Sequence, residues 1–191
     1  MKTENAVSLL PIYLYGSEVL KKKAPRMTEV TDDDIRLIQD MFETMHEASG
    51  IGLAATQVGE LKQLLVVDLS ESDDSGESKP LAIINPEILA TEGLIEIEEG
   101  CLSIPDIREA VKRPEKIRIR YQDTSMKVKE LEADGMLARV IQHEMDHLNG
   151  VLFIDHLSTA KRTFLKNKLR KIAKGDVDID YEFALEKKKT K

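Results

Sequence analysis

The chain has 191 residues, 41% of them hydrophobic and 33% charged, which suits one soluble domain with a substantial core rather than a disordered chain. Its net charge of −7 and its 4% aromatic content argue against a nucleic-acid-binding surface or a base-stacking platform. One cysteine cannot form an internal disulfide, and neither a signal peptide nor a membrane-spanning run is recognisable, so we expect a cytoplasmic protein without membrane contact.

The first half of the chain predicts an extended segment, a helix and two strands. Residues 8–16 read as extended, and Thr31 is expected to cap an amphipathic helix that ends at Gly50. Two strands rich in Val, Ile and Leu are predicted next, at 61–70 and 81–89. The polar stretch between them, 71–80, has the composition of a solvent-exposed turn.

The second half predicts further strands, then two helices. Residues 94–100 alternate apolar and acidic side chains, and two more alternating stretches predict an antiparallel pair. A helix is expected from about Asp134 to Leu148, and a basic helix follows it. Helices that bracket a strand-rich middle predict an α+β fold in one domain, 1–175, with a polar and poorly ordered tail, 176–191.

The first helix of this second half carries a candidate metal site. In His143-Glu144-x-x-His147 the two imidazoles share one helix face, so they can bind one divalent metal while Glu144 acts as general base on a water molecule. The alternative is a surface helix with solvated His and Glu side chains. Met136 and Val140 continue the histidine stripe with apolar side chains, which favours ligation because unpaired polar groups are costly in a core.

A catalytic site of this kind needs a third protein ligand. In the pattern H-E-x-x-H-x-x-G-x-x-H the third histidine would stand at position 153, which here is Phe153. Glu182 and Glu186 are further candidates, but they lie in the polar tail. Cys101 is the remaining strong ligand, although an unpaired cysteine can equally be a small buried hydrophobe.

Three stretches, "GIGLAATQ" (50–57), "EGCLS" (99–103) and "QHEMDHLNG" (142–150), together closely resemble the signature motifs of the peptide deformylase family. The likeness extends from about Leu10 to Lys174 and points to the bacterial type with a C-terminal helix. It implies mostly antiparallel β-sheets around a central helix carrying the HExxH motif, with N-terminal and C-terminal helices.

The resemblance also implies a reaction and a metal. Members of the family remove the formyl group from the N-formylmethionine of nascent polypeptides and release formate. They usually contain Fe(II), with Zn(II) or Ni(II) often substituted, and a Cys-His-His donor set also permits Co(II).

By the same resemblance, Gln57 and the backbone N–H of Leu102 form the oxyanion hole, and Gly52 with Cys101 closes a tight site for the formyl group. The glycine-rich stretch can alternatively be read as a tight turn that packs its alanines inside. The pocket for the methionine side chain, its neighbours and a contact to the peptide backbone are expected at Ile51, Ile97, Met136, Val140, Glu99, His143 and Arg108. Arg139 stands beside this pocket in place of an apolar residue.

Two other functions compete with this interpretation. A zincin-like metallopeptidase shares HExxH, but Phe153 and the Cys101 motif argue against it. A catalytically silent, metal-binding, ribosome-associated protein would not need Glu144 or Gln57.

The basic helix adds a candidate partner. Residues 161–174 contain seven Lys or Arg and no acid, which fits either a solvated face or docking on phosphate-rich RNA. The resemblance favours docking near the ribosomal exit tunnel, without recognition of a specific nucleic-acid sequence.

Overall fold

The computed structural model describes residues 7–70 and 79–186. Three α-helices lie in these ranges: α1 (Asp32–Glu47), α2 (Gly135–Leu148) and α3 (Thr159–Ile172). The strands are β1 (Ile12–Tyr13), β2 (Gly52–Ala54), β3 (Leu64–Val67), β4 (Leu81–Glu92), β5 (Ile95–Cys101), β6 (Ile104–Arg113), β7 (Lys116–Gln122), β8 (Val128–Asp134) and β9 (Phe183–Ala184). Most of the predicted turn at 71–80 falls outside the described residues.

The strands form three sheets. A five-stranded antiparallel sheet has the order β2-β3-β4-β7-β8, and β5 and β6 form an antiparallel hairpin. Only the short β1–β9 pair among the described strands is parallel. The predicted α+β fold with mostly antiparallel sheets is therefore confirmed, but β6 was not anticipated because its apolar residues do not alternate regularly.

Helix α1 begins where the sequence predicts. Thr31 and Asp34 form a capping box, in which each side chain accepts a hydrogen bond from the other residue's backbone N–H. Its apolar face, with Met41 and Met45 fully buried, packs against β2 and β3. This places the Gly50–Gln57 stretch, which follows the helix directly, in the core.

Helix α2 is the central helix of the fold. Ala138, Ile141 and Leu148 are almost completely buried among side chains of the five-stranded sheet. His143 and His147 are also buried, whereas Met136 is 47% exposed at the helix start. The prediction that the histidine stripe points into the protein is confirmed.

The C-terminal part of the chain packs more extensively than expected. Leu165, Leu169 and Ile172 of α3 join a core cluster with Leu14 and Phe153. The chain then returns, so that β9 pairs with β1. The expectation of a poorly ordered tail is wrong for residues 176–186, because backbone pairing and partial burial hold them, and residues 187–191 lie outside the described ranges. No helix within those ranges is both long and apolar enough to cross a membrane.

Candidate metal centre and active site

Two elements bring three potential metal ligands together. His143 and His147 project from α2, and Cys101 stands at the end of β5. The Cys101 Sγ lies 3.2 Å from the His147 Nε2, and one ligand atom from each residue lies within 4.8 Å of the others. Ligands that bind one ion at about 2.0–2.3 Å stand at such separations. The predicted donor set therefore fits a divalent metal.

Hydrogen bonding fixes which nitrogen His143 presents. Its Nδ1 lies 2.9 Å from the Glu99 Oε2, which leaves Nε2 free to face the thiol. A carboxylate behind a ligating imidazole sets its tautomer and ring orientation. The Nδ1 of His147 has no hydrogen-bond partner among the described residues.

Glu99 is the centre of a buried ionic network. Arg113 donates to it from Nε and Nη2 at 2.6 and 3.0 Å, and Arg139 donates from Nη1 at 2.7 Å. Burial opposes ionisation of this carboxyl, but the hydrogen bonds from His143, Arg113 and Arg139 outweigh it and hold the Glu99 pKa well below its usual range. Glu99 therefore stays anionic and fixes the orientation of His143.

Sequence reasoning assigned Glu99 to the substrate pocket and missed Arg113 altogether. Glu99 does line the cavity, but its oxygens are bound to protein groups. Its partnership with Arg113 depends on the β5–β6 hairpin, in which Glu99 lies opposite Glu109, and α2 then supplies His143 and Arg139. No local sequence pattern links these positions.

Glu144 is buried next to the ligands. Its Oε2 has no hydrogen-bond partner among the described residues, although the side chain lines the cavity. Burial raises the pKa of Glu144 to about 7, against the opposing attraction of His143 and Arg113. A carboxyl with this pKa can both accept and release a proton near neutral pH.

Gln57 lines the same cavity and lies close to Cys101. Its Oε1 accepts a hydrogen bond from the Ala54 N–H at 2.8 Å, so the amide nitrogen must turn towards the centre. That nitrogen lies 3.3 Å from the Ser103 Oγ and 3.7 Å from the Cys101 Sγ. The structure thus brings Gln57 and the Cys101–Leu102 peptide to one side of the candidate metal site.

A cavity of about 780 Å³ opens onto these groups. The predicted site residues on its wall are Ile51, Gly52, Gln57, Glu99, Cys101, Leu102, Arg108, Met136, Val140, His143 and Glu144. His147 lies behind them, buried at the ligand cluster.

Ile97 is the exception among the predicted pocket residues, because the wall along β5 begins at Glu98. Arg139 instead lines the cavity, and its guanidinium donates to the carbonyls of Ile95 and Val111 at 2.8 and 2.9 Å. Val111 lies opposite Ile97 in the hairpin, so the arginine fills the space beside that part of the strand.

Two wall residues come from the expected tail. Ile179 and Tyr181 both line the cavity, and the Tyr181 hydroxyl donates to the Leu102 carbonyl at 2.7 Å. Burial, together with the nearby Cys101 and Asp106, raises the pKa of Tyr181, so its hydroxyl keeps its proton. The sequence did not indicate Ile179 and Tyr181 as site residues, because the Asp and Glu residues around them are typical of a polar tail.

The fold and the site define a class of protein: a hydrolase whose HExxH helix supplies two imidazoles and a carboxyl, and whose third candidate ligand is a cysteine on a neighbouring hairpin. The family model described as polypeptide deformylase matches residues 9–163. The chain belongs to this family, and it is accordingly an enzyme that acts on N-formyl peptides.

Individual relatives agree with the family match. The chain is 51% identical over 181 residues to the peptide deformylase of Salinibacter ruber, covering 91% of this chain and 93% of that protein. It is 47% identical over 172 residues to that of Rhodopseudomonas palustris, covering 90% and 98%.

Solved structures show the same fold. The peptide deformylase of Thermus thermophilus superimposes with a TM-score of 0.81 at 39% identity, covering 88% of this chain and 99% of that one. The enzyme of Synechococcus elongatus in complex with actinonin superimposes with a TM-score of 0.75 at 43% identity, covering 87% of each chain. These matches confirm the predicted family over the zincin-like alternative.

Proposed function

We propose that the chain removes the formyl group from N-formylmethionine at the start of nascent polypeptides, with one divalent metal held by Cys101, His143 and His147. The observation that carries the proposal is the convergence of these ligands with Glu144 and Gln57 on one cavity. We further propose Fe(II) as the native ion, with Zn(II), Ni(II) or Co(II) as substitutes, since thiolate and imidazole suit all four.

The metal would act as a Lewis acid and lower the pKa of water. Glu144 takes a proton from the attacking water and later delivers it to the departing amine nitrogen. The water oxygen bonds to the formyl carbon and the C–N bond breaks, so the products are formate and a free amine. The Glu144 side chain lines the cavity and its Oε2 has no partner among the described residues, so this oxygen is free for both transfers.

The formyl oxygen becomes negative as water adds to the carbon. The Gln57 Nε2 and the Leu102 backbone N–H are proposed to donate to it, because both adjoin the ligand Cys101. The Gln57 amide is already oriented by Ala54, so little reorganisation is needed during the reaction.

The remainder of the cavity fits an extended peptide with an apolar first side chain. Ile51, Met136 and Val140 provide apolar surface near Glu144. Among the described strands, β2 is at the edge of its sheet and β5 pairs with β6 alone, so both can offer backbone groups to a substrate. Such main-chain pairing tolerates different sequences after the methionine, and Arg108 on the same wall is available to the peptide backbone further along.

The surface of α3 suggests where the enzyme meets its substrates. Its inner face is buried, while the outer face is basic and carries Phe164, which is 86% exposed. An exposed aromatic ring among lysines and arginines suits RNA, because bases stack on it and phosphates pair with the cations. We propose a cytoplasmic enzyme that docks on the ribosome through residues 161–174.

Formate release from formyl-Met-Ala-Ser by anaerobically purified protein tests the proposed reaction. The wild type should turn over, and Glu144→Ala should lose nearly all activity while retaining one metal ion. Glu98→Ala is the matched control, since it removes an exposed carboxyl from the same cavity and should remain active. A metal-loaded wild type that releases no formate would contradict the proposal.

A further inference from the structure

The segment after α3 approaches the active site although it lies beyond residues 9–163, which match the family model. Gly175, with a φ of +74°, reverses the chain after α3, and an added Cβ there would lie 3.0 Å from Leu185. Residues 176–186 then run back across the protein to the cavity.

Backbone hydrogen bonds fix this segment immediately after Tyr181. The N–H groups of Ile12 and Leu14, two fully buried residues, donate to the carbonyls of Glu182 and Ala184 at 2.9 and 3.1 Å. The position of Tyr181 therefore follows from a strand pairing, not from a loose side-chain contact.

Residues next to the β1–β9 pair also bind the turn between β5 and β6. The Tyr181 hydroxyl donates to the Leu102 carbonyl at 2.7 Å, and the Tyr15 N–H donates to the Ser103 carbonyl at 2.8 Å. Two successive carbonyls of the β5–β6 turn, those of Leu102 and Ser103, thus accept hydrogen bonds from residues that flank the β1–β9 pair. The Leu102 and Tyr181 side chains also belong to one hydrophobic cluster.

We propose that Tyr181 is a positioning residue for catalysis. Its hydroxyl fixes the Leu102 carbonyl, and the Leu102 N–H, in the preceding peptide unit, is then restricted because only the backbone dihedral angles of Leu102 separate the two groups. A rotation of the loop would turn this N–H away from the point that Gln57 faces. The inference rests on the proposed oxyanion role of Leu102 and adds the C-terminal segment to the active site.

Tyr181→Phe tests it, since only the hydroxyl is removed. Loss of one neutral hydrogen bond corresponds to a fall in kcat of about two- to tenfold. KM and metal content should be unchanged, because a donor that acts mainly in the transition state affects kcat without weakening substrate binding. Tm should fall by no more than about 2–4 °C, the effect of one lost hydrogen bond. Tyr121→Phe is the matched control, since Tyr121 lies in β7 and does not line the cavity.

Gln57→Ala, assayed alongside, distinguishes failure of the proposed role of Tyr181 from failure of the proposed oxyanion hole. A large loss in Gln57→Ala with full kcat in Tyr181→Phe would overturn the inference and leave the proposed oxyanion hole standing. Full kcat in both would overturn both. A fall in kcat that accompanies lost metal, or a fall in Tm much larger than one hydrogen bond explains, would show a general structural role of Tyr181 and would also overturn the inference.

Discussion

Cys101 illustrates how one residue depends on its neighbours. Its side chain is only partly buried, and Ser103, two residues on, is fully buried beside Gln57. The thiol therefore faces both the imidazoles and the proposed oxyanion donors. One short turn thus contains both the candidate metal ligand Cys101 and the proposed hydrogen-bond donor Leu102.

Glu99 shows a different dependence, on charge. Two arginines and His143 surround a carboxyl that is 5% exposed. Removing one member would leave a buried charge without its partner, which is costlier than the net gain from the pair itself. The network therefore holds Glu99 anionic against His143 and fixes the orientation of that ring.

Gly52 permits the approach of Glu144, and we expect Gly52→Ala to displace that side chain. An added Cβ would lie 2.5 Å from the Val140 Cγ1 and 2.7 Å from the Glu144 Oε1. A shift of about 1 Å in a catalytic group costs on the order of 10²-fold in rate, so kcat for formate release should fall by that order with metal retained.

Gly100→Ala is the control for this substitution in the same cavity. Its added Cβ would meet Arg108 atoms at 3.5 Å or more, an ordinary contact. Near-normal kcat is expected there. Equal losses in the two variants would contradict the explanation by close approach to Glu144.

At the scale of elements, α3 has one face that packs in the core and one exposed basic face that is proposed to dock on the ribosome. Leu165 and Leu169 belong to the core, so deleting the helix would disturb the fold as well as any docking surface. Charge reversal on the exposed face is therefore the better test of the proposed ribosome contact.

Arg162, Lys166 and Arg170 are exposed and one helical turn apart. Reversing all three to Glu should weaken ribosome binding by on the order of tenfold or more and reduce its salt dependence, because each phosphate contact contributes through released counterions. Co-sedimentation with ribosomes at several salt concentrations measures this. Turnover of a free formyl-Met peptide should not change.

The matched control reverses Lys22, Lys23 and Arg26, which are also exposed and give the same change in net charge. Ribosome binding should persist in this variant. Equal weakening by both triple variants would show a general effect of net charge and would contradict docking through α3.

At the scale of the whole molecule, the candidate metal site joins separate parts of the fold. Cys101 belongs to the β5–β6 hairpin, whereas His143 and His147 belong to the helix packed on the five-stranded sheet. A metal bound to all three would link these parts, and a ligand that binds only the folded state raises its stability.

Metal removal should therefore lower the Tm of the wild type. A metal present at 1,000 times its Kd contributes about 4 kcal/mol to the free energy of unfolding. Thermal unfolding with and without a chelator measures the shift, and Cys101→Ala, which lacks one ligand, should show a much smaller one. Equal shifts in both proteins would place the stabilising metal elsewhere.

The sequence by itself determined the features that depend on neighbouring residues. The spacing of His143 and His147 puts both imidazoles on one turn of a helix, and Thr31 marks the start of α1 through contacts three residues away. Three short motifs were enough to predict the family. Each of these signals is local, so it can be read before the fold is known.

Only the tertiary structure decided which distant residues meet at the site. Glu99 meets Arg113 through the β5–β6 hairpin and Arg139 through the packing of α2, and Ile97 is left off the cavity wall. Tyr181 reaches Leu102, 79 residues earlier, because β9 pairs with β1. Such contacts follow from strand register and chain return, which depend on the packing of the whole chain rather than on any one stretch of it.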